Sequence, residues 1–252
     1  MTWYAAWATT PGFDATGAAR IAATGAVPEV TWEPWDPAAG TTQPAYTLDR
    51  IASGALDGYV SRWARQIRSY GKPVVIRLAH EMNGNWYPWA EGVNGNGPGD
   101  FVAAWRHVVG VFKANRVGNV TWSWAPNVPY DGSTPLSRLY PGDAYVTRVG
   151  LDGYNWSTLQ PWSTWQSFAD VFGPGLAQLA ALTSKPVYIA ETASPEVGGD
   201  KAAWIADMWS TLAAHPEIRG VTWFDFDKET DWQIDSSDAS LAAFARGMGG
   251  FS

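Results

Sequence analysis

Short apolar runs of strand length recur along this chain with helix-patterned stretches between them, and this alternation is what most narrows its choice of fold. Parallel strands cannot be joined by tight hairpins and need a crossover, usually a helix, so the rhythm specifies α/β with a parallel sheet. Strand candidates are Trp3 to Ala8, Val27 to Trp32, Val74 to His80, Val120 to Trp124, Tyr145 to Tyr154, Val187 to Ala190 and Val221 to Phe226. Helix candidates lie between them: Leu56 to Ser69, with Ser53 as its possible cap, Asp100 to Ala114, Ala177 to Leu182 and Asp200 to Ala214. Gly71-Lys72-Pro73 and Ser184-Lys185-Pro186 punctuate two helix-to-strand turns in the same way. The pattern predicts a (β/α)8 TIM barrel formed by a single domain over residues 1–252. Only seven strands are counted, so either one escapes the pattern or the first lies upstream of Met1.

Composition removes several function classes. A net charge of −7 without clustered Lys and Arg argues against a phosphate-binding surface, so neither nucleic acid nor an anionic membrane is expected as a partner. No run approaches the roughly 20 apolar residues of a spanning helix, and Met1-Thr2-Trp3-Tyr4 lacks the start of a signal peptide. The chain as given reads as soluble, as would a mature form whose leader had been removed. Zero cysteines exclude disulfides and thiolate chemistry. Seventeen tryptophans exceed what a core usually needs, because each buried indole N–H wants a partner, so some are expected to line a site.

Strand parity sorts side chains onto two faces. In Val74 to Glu81, the set Val74, Ile76, Leu78 and His80 is the greasier one and should face helices, leaving Val75, Arg77, Ala79 and Glu81 toward the barrel axis. The same parity turns Arg148, Asp152 and Tyr154 inward and groups Glu29, Thr31 and Glu33. A buried guanidinium needs a partner, so Arg77 is expected to pair with Glu29, Glu33 or Asp152.

The most informative segment is His80-Glu81-Met82-Asn83-Gly84-Asn85-Trp86-Tyr87-Pro88-Trp89, where a strand delivers a carboxylate to a polar turn followed by aromatics. Flat rings beside an acid suit sugar chemistry, and glycosidic hydrolysis uses two carboxyl groups flanking the bond. Glu33, Glu81, Asp152, Glu191, Asp225 and Asp227 all stand near strand C-terminal ends, and position alone does not choose among them. His80-Glu81 also begins like a zinc-protease HExxH, but Gly84 occupies the place of the second histidine, so no metal is expected.

His80-Glu81-Met82-Asn83-Gly84 with Trp86-Tyr87-Pro88-Trp89, then Gly150-Leu151-Asp152-Gly153-Tyr154-Asn155, Ile189-Ala190-Glu191-Thr192 and Val221-Thr222-Trp223-Phe224, resembles glycoside hydrolase family 26, in order from Trp3 to Trp232. The resemblance implies a (β/α)8 barrel and a retaining endo-glycosidase. It matches Glu81 to the acid/base and Glu191 to the nucleophile. Among substrate-binding residues, it matches His80 to the histidine beside the acid, Trp86 to an aromatic near the cleaved bond, Tyr154 to the tyrosine holding the nucleophile, and Trp223 to a platform under the sugar. Glu81 should start protonated, raised by partial burial and by Glu191, with the two carboxyl groups about 5 to 5.5 Å apart. Two features depart from the family: its first strand has no counterpart ahead of Met1, and Asp225-Phe226-Asp227-Lys228-Glu229 stands where a more amide-rich turn is expected.

The implied protein is a secreted, cofactor-free, monomeric hydrolase of a β-linked polysaccharide. The family's base rate puts β-1,4-mannan first, with mixed-linkage β-1,3-1,4-glucan and β-1,3-xylan as alternatives. A reading from another class is a non-catalytic glycan-binding protein on the same scaffold. Trp32, Trp35, Trp122, Trp124, Trp156 and Trp162 fit core or subsite, with the subsite reading favoured only for Trp86 and Trp223, and His107 and His215 fit surface or core. Asn155-Trp156-Ser157 matches a glycosylation sequon by chance composition.

Overall fold

A computed structural model describes residues 1–250. Seven strands, β1 (Thr2–Ala6), β2 (Glu29–Glu33), β3 (Val74–Leu78), β4 (Val120–Trp124), β5 (Arg148–Tyr154), β6 (Val187–Ala193) and β7 (Ile218–Trp223), follow one another in sequence order. Helices alternate with them: α1 (Ala15–Ala23), α2 (Leu48–Ala52), α3 (Asp57–Tyr70), α4 (Asp100–Ala114), α5 (Leu136–Leu139), α6 (Phe168–Leu182), α7 (Lys201–Ala214) and α8 (Asp238–Met248). This is the (β/α)8 barrel plan with one strand fewer than eight among the described residues. The chain groups into two compact units, residues 1–149 and 150–252, divided within β5. No described helix is long and apolar enough to cross a membrane.

In the first unit, α3 buries Val60, Trp63, Ala64 and Ile67, the stripe that a 3.6-residue period places on one side. It ends at Gly71 with φ 75°, a left-handed cap that a Cβ would strain, and Lys72-Pro73 then leads into β3. Its N-cap is Leu56; Ser53, expected there, instead closes α2. The helix-facing side of the strands is built on indoles. Trp32 lies 4.8 Å from Trp63 and 6.0 Å from Phe112, and Trp122 lies 4.9 Å from Phe112, ring centre to ring centre.

The opposite face carries a polar row. Register sets Thr31 beside Arg77, Arg77 beside Ser123 and Ser123 beside Arg148. Arg77 is buried, as parity predicts, and its Nη1 donates to Thr31 Oγ1 at 3.0 Å. Arg148 donates from Nε to Ser123 at 3.1 Å and from Nη2 to Glu29 at 2.6 Å. Two guanidinium groups are tolerated away from water because hydroxyls and a carboxylate on neighbouring strands are in step with them.

In the second unit, α6 begins at Phe168, well before the expected Ala177. A capping box of Ser167 and Asp170 starts it, and Pro174 sits inside it. Strand β6 runs three residues past its expected end, and β7 spans Ile218–Trp223 rather than reaching Phe226. Irregular register between β6 and β7 ends with Thr192 opposite Trp223. The loop after β7 is tied to α7 by Lys201, which is buried and donates to Gln233 O at 2.6 Å and Ser236 Oγ at 2.7 Å. Burial pulls this amine below its ordinary value, while Glu196 and three aspartates oppose the shift.

Candidate active site

The sequence parity fails just where the first glutamate is presented. Strand β3 stops at Leu78, and both Ala79 (φ 44°) and Glu81 (φ 53°) are left-handed, so Glu81 leaves on a turn and not as the next residue of a strand face. Its backbone N–H donates to Ala125 O at 2.8 Å, fastening the turn beyond the end of β4. Its carboxylate Oε2 accepts from Trp86 Nε1 at 2.7 Å. Trp86 fits because residue 84 is glycine: a Cβ there would lie 2.6 Å from the indole ring. On its other side Trp86 stacks with Tyr130, 5.8 Å away at 28°. Burial raises the Tyr130 phenol above its usual value, and the negative charge of Glu81 adds to the shift.

Asn83 was not singled out in the sequence, yet it organises this corner. It is buried, its Oδ1 accepts from Asn127 N at 2.9 Å, and its Nδ2 donates to Asn127 O at 2.9 Å. Thr134 N completes the clamp on Asn83 O at 3.0 Å. The long piece from Asn127 onward is thereby sewn to the Glu81 turn and brings Tyr130 with it. The available signal was an amide set among apolar and glycine residues directly after a strand end.

His80 is buried under rings, 4.8 Å from Tyr87 and 6.1 Å edge-on from Tyr4. Its Nδ1 lies 3.9 Å from Glu33 Oε1, beyond hydrogen-bond length. Trp89 donates to His80 O at 2.7 Å and stacks on Tyr87 at 4.4 Å, so these two rings brace the turn from beneath.

In the second unit Glu191 sits inside β6, 5% exposed, and its Oε2 accepts from the Tyr154 hydroxyl at 2.7 Å. The Tyr154 ring meets Trp232, Phe224 and Trp156 at 5.4, 5.8 and 5.9 Å. Trp223 does not join them. It turns to the helices, 6.0 Å from Trp204 of α7 and 5.9 Å from Phe244 of α8, and its N–H donates to Trp232 O at 2.8 Å. Alternation along the chain makes Phe224 the aromatic on the Tyr154 side. The acidic turn closes on itself: Ile234 N donates to Asp225 Oδ1 at 2.8 Å, and Lys228 pairs with Glu229 at 2.9 Å.

Residues 14–219 match the family model "Glycosyl hydrolase family 26". The chain belongs to this family. It is 40% identical over 230 residues to Endoglucanase H of Acetivibrio thermocellus, a match covering 89% of this chain but 24% of that protein. To the mannan endo-1,4-beta-mannosidase A and B of Caldalkalibacillus mannanilyticus it is 35% identical over 113 residues, 43% of this chain and 20% of that one. It therefore spans about a quarter or less of these relatives. The catalytic domain of the Bacillus sp. JAMB-750 family 26 endo-beta-1,4-mannanase shares the fold, with a TM-score of 0.68 at 20% identity over 91% of this chain and 67% of that one.

Proposed function

We propose that this family 26 hydrolase is a retaining endo-β-glycanase acting by double displacement, with Glu191 as nucleophile and Glu81 as acid/base. The observation that carries the assignment is the contrast between the two glutamates. Glu191 is withdrawn from water and held by the Tyr154 phenol donating to it, an arrangement that aims the carboxylate at a fixed point. Glu81 is half-buried on a left-handed turn, oriented by the Trp86 N–H, where a leaving oxygen can be protonated and a water later deprotonated. In the first step Glu191 attacks the anomeric carbon, the C–O bond breaks, and the Glu81 proton goes to the departing oxygen. In the second, Glu81 takes a proton from water, and that oxygen displaces Glu191.

For the substrate, an endoglucanase is matched over 89% of this chain at 40% identity and a β-1,3-xylanase of Vibrio sp over 74% at 22% identity, whereas the mannosidase match covers 43% of it. This favours a β-glucan ahead of mannan, which stands second on the mannan-active relatives. A polymer of either kind is met outside the cytoplasm, which fits an exported enzyme. The test is reducing-end release from barley β-glucan, mannan and β-1,3-xylan, alongside Glu191→Ala. Early products should carry the starting anomeric configuration by proton NMR. Inverted products would sink the nucleophile assignment, and no release from any polymer, with binding intact, would make the chain a glycan-binding protein.

A further inference from the structure

Three rings lead away from the nucleophile candidate toward solvent. Tyr154, which donates to Glu191, lies 5.9 Å from Trp156, and Trp156 lies 5.8 Å from Trp162. Tyr154 and Trp156 are both half-buried, and Trp162 at the outer end is 70% exposed. Trp156 meets Trp162 edge-on at 61° and so braces it from behind, leaving the outer ring's exposed face to solvent. A single exposed tryptophan needs no explanation, but one that continues a line of rings from a carboxylate does.

The loop bearing Trp162 is built to hold it. Asn155, fully buried, accepts from Ser157 N and Gln166 N at 3.1 Å each and donates to Ser194 at 3.0 Å, closing the loop at both ends. Ser157 adopts φ 50° and donates from Oγ to Val197 O at 2.7 Å. Next to Trp162, Gln160 and Ser163 exchange hydrogen bonds across the tip. At the loop's far end Trp165 lies over Gly199, where a Cβ would come within 2.4 Å of the ring, and Trp204 donates to Gln166 O at 2.9 Å. So many ties on a segment that leaves its largest apolar side chain in water leave the indole little ordering entropy to lose when something stacks on it.

We propose that Trp162, with Trp156 behind it, forms a distal subsite that stacks a sugar ring of a β-linked glycan chain whose reacting unit lies at Glu191. The inference rests on the proposed function for the reacting end but makes a separate claim about binding. Net negative charge suits a neutral polysaccharide better than an anionic one.

Two readouts on Trp162→Ala and Trp162→Phe test it, with barley β-glucan and mannan as probes. In native gels cast with each polymer, the wild type should be retarded, the Ala variant much less, and the Phe variant in between. In kinetics, the ratio of kcat/KM on polymer to kcat/KM on an aryl β-disaccharide should fall about tenfold in the Ala variant, the size of an ordinary hot-spot loss, and be mostly restored by Phe. Equal retardation of wild type and Ala, or no retardation of the wild type by either polymer, overturns the proposal, as does an unchanged kinetic ratio. A wild type that is retarded but releases no reducing ends would overturn the hydrolase reading and leave the subsite standing.

Discussion

Gly84→Ala removes nothing from the protein and adds one methyl group, yet it should disable catalysis through Trp86. The new Cβ would lie 2.6 Å from two ring carbons of the indole, where ordinary carbon contacts begin near 3.5 Å, so the ring must move by about 1 Å. The hydrogen bond to Glu81 is 2.7 Å long, and a displacement of that size takes it to or past the limit for such a bond. A hydrogen bond to a charged group is worth about 1.5 to 3 kcal/mol, and if that stabilisation is realised in the transition state, kcat/KM falls about 10- to 150-fold. Trp86 is 39% exposed, so it can swing outward with little core disruption, and the stability change should stay near 1 kcal/mol. Initial rates on polymer with a urea titration of each variant make the measurement, and the decisive arm is the double mutant. Once Trp86→Ala has removed the ring, adding Gly84→Ala should cost almost nothing further. Gly84→Ala within twofold of wild type, or two penalties that simply multiply, would refute the chain of reasoning from Cβ to indole to carboxylate.

Tyr154→Phe deletes the donor to Glu191 while keeping the ring, and should lower kcat/KM at least about tenfold with melting unchanged to within a few degrees. Glu81→Gln removes a charge that raises the Tyr130 phenol, so the Tyr130 pKa should move down. It should remain above its ordinary value because burial, the larger cause, persists; ring-labelled tyrosine NMR reads both. Glu29→Ala removes the carboxylate from Arg148, which keeps Ser123, and should cost about 1.5 to 3 kcal/mol in denaturant unfolding, with Glu29→Met/Arg148→Met regaining most of it.

The alternation of apolar runs was enough to read the fold, because hydrophobic period survives any local irregularity. Helix α4 lies where the pattern places it. Helix α6 was shortened because Gly173 and Pro174 look like a break, whereas the capping box at Ser167 and the buried Phe168, Val171 and Phe172 carry the helix through them. Helices α1 and α8, 9 and 11 residues long, are alanine-rich and offer few large apolar side chains to mark them in the sequence. Around Glu81 the residue types were legible and the geometry was not, since parity assumes an extended backbone and this one turns left-handed after Leu78. Trp223 and Phe224 illustrate the same limit: adjacent aromatics at a strand end are equivalent in composition, and only the register with Thr192 and the packing on α7 and α8 assign their sides. Asn83 and Asn155 act through backbone groups distant in sequence, which no local pattern reveals.

The left-handed backbone at Glu81 carries a consequence for any lineage selected for heat resistance alone. A non-glycine residue in that conformation gives up about 1 to 2 kcal/mol, a debt that glycine or asparagine would largely cancel. Breeding this protein for survival at high temperature without assaying turnover would therefore drift toward replacing residue 81 early, and the hardiest descendants would be inert. Only a screen that demands product at every round would hold the proposed acid in place.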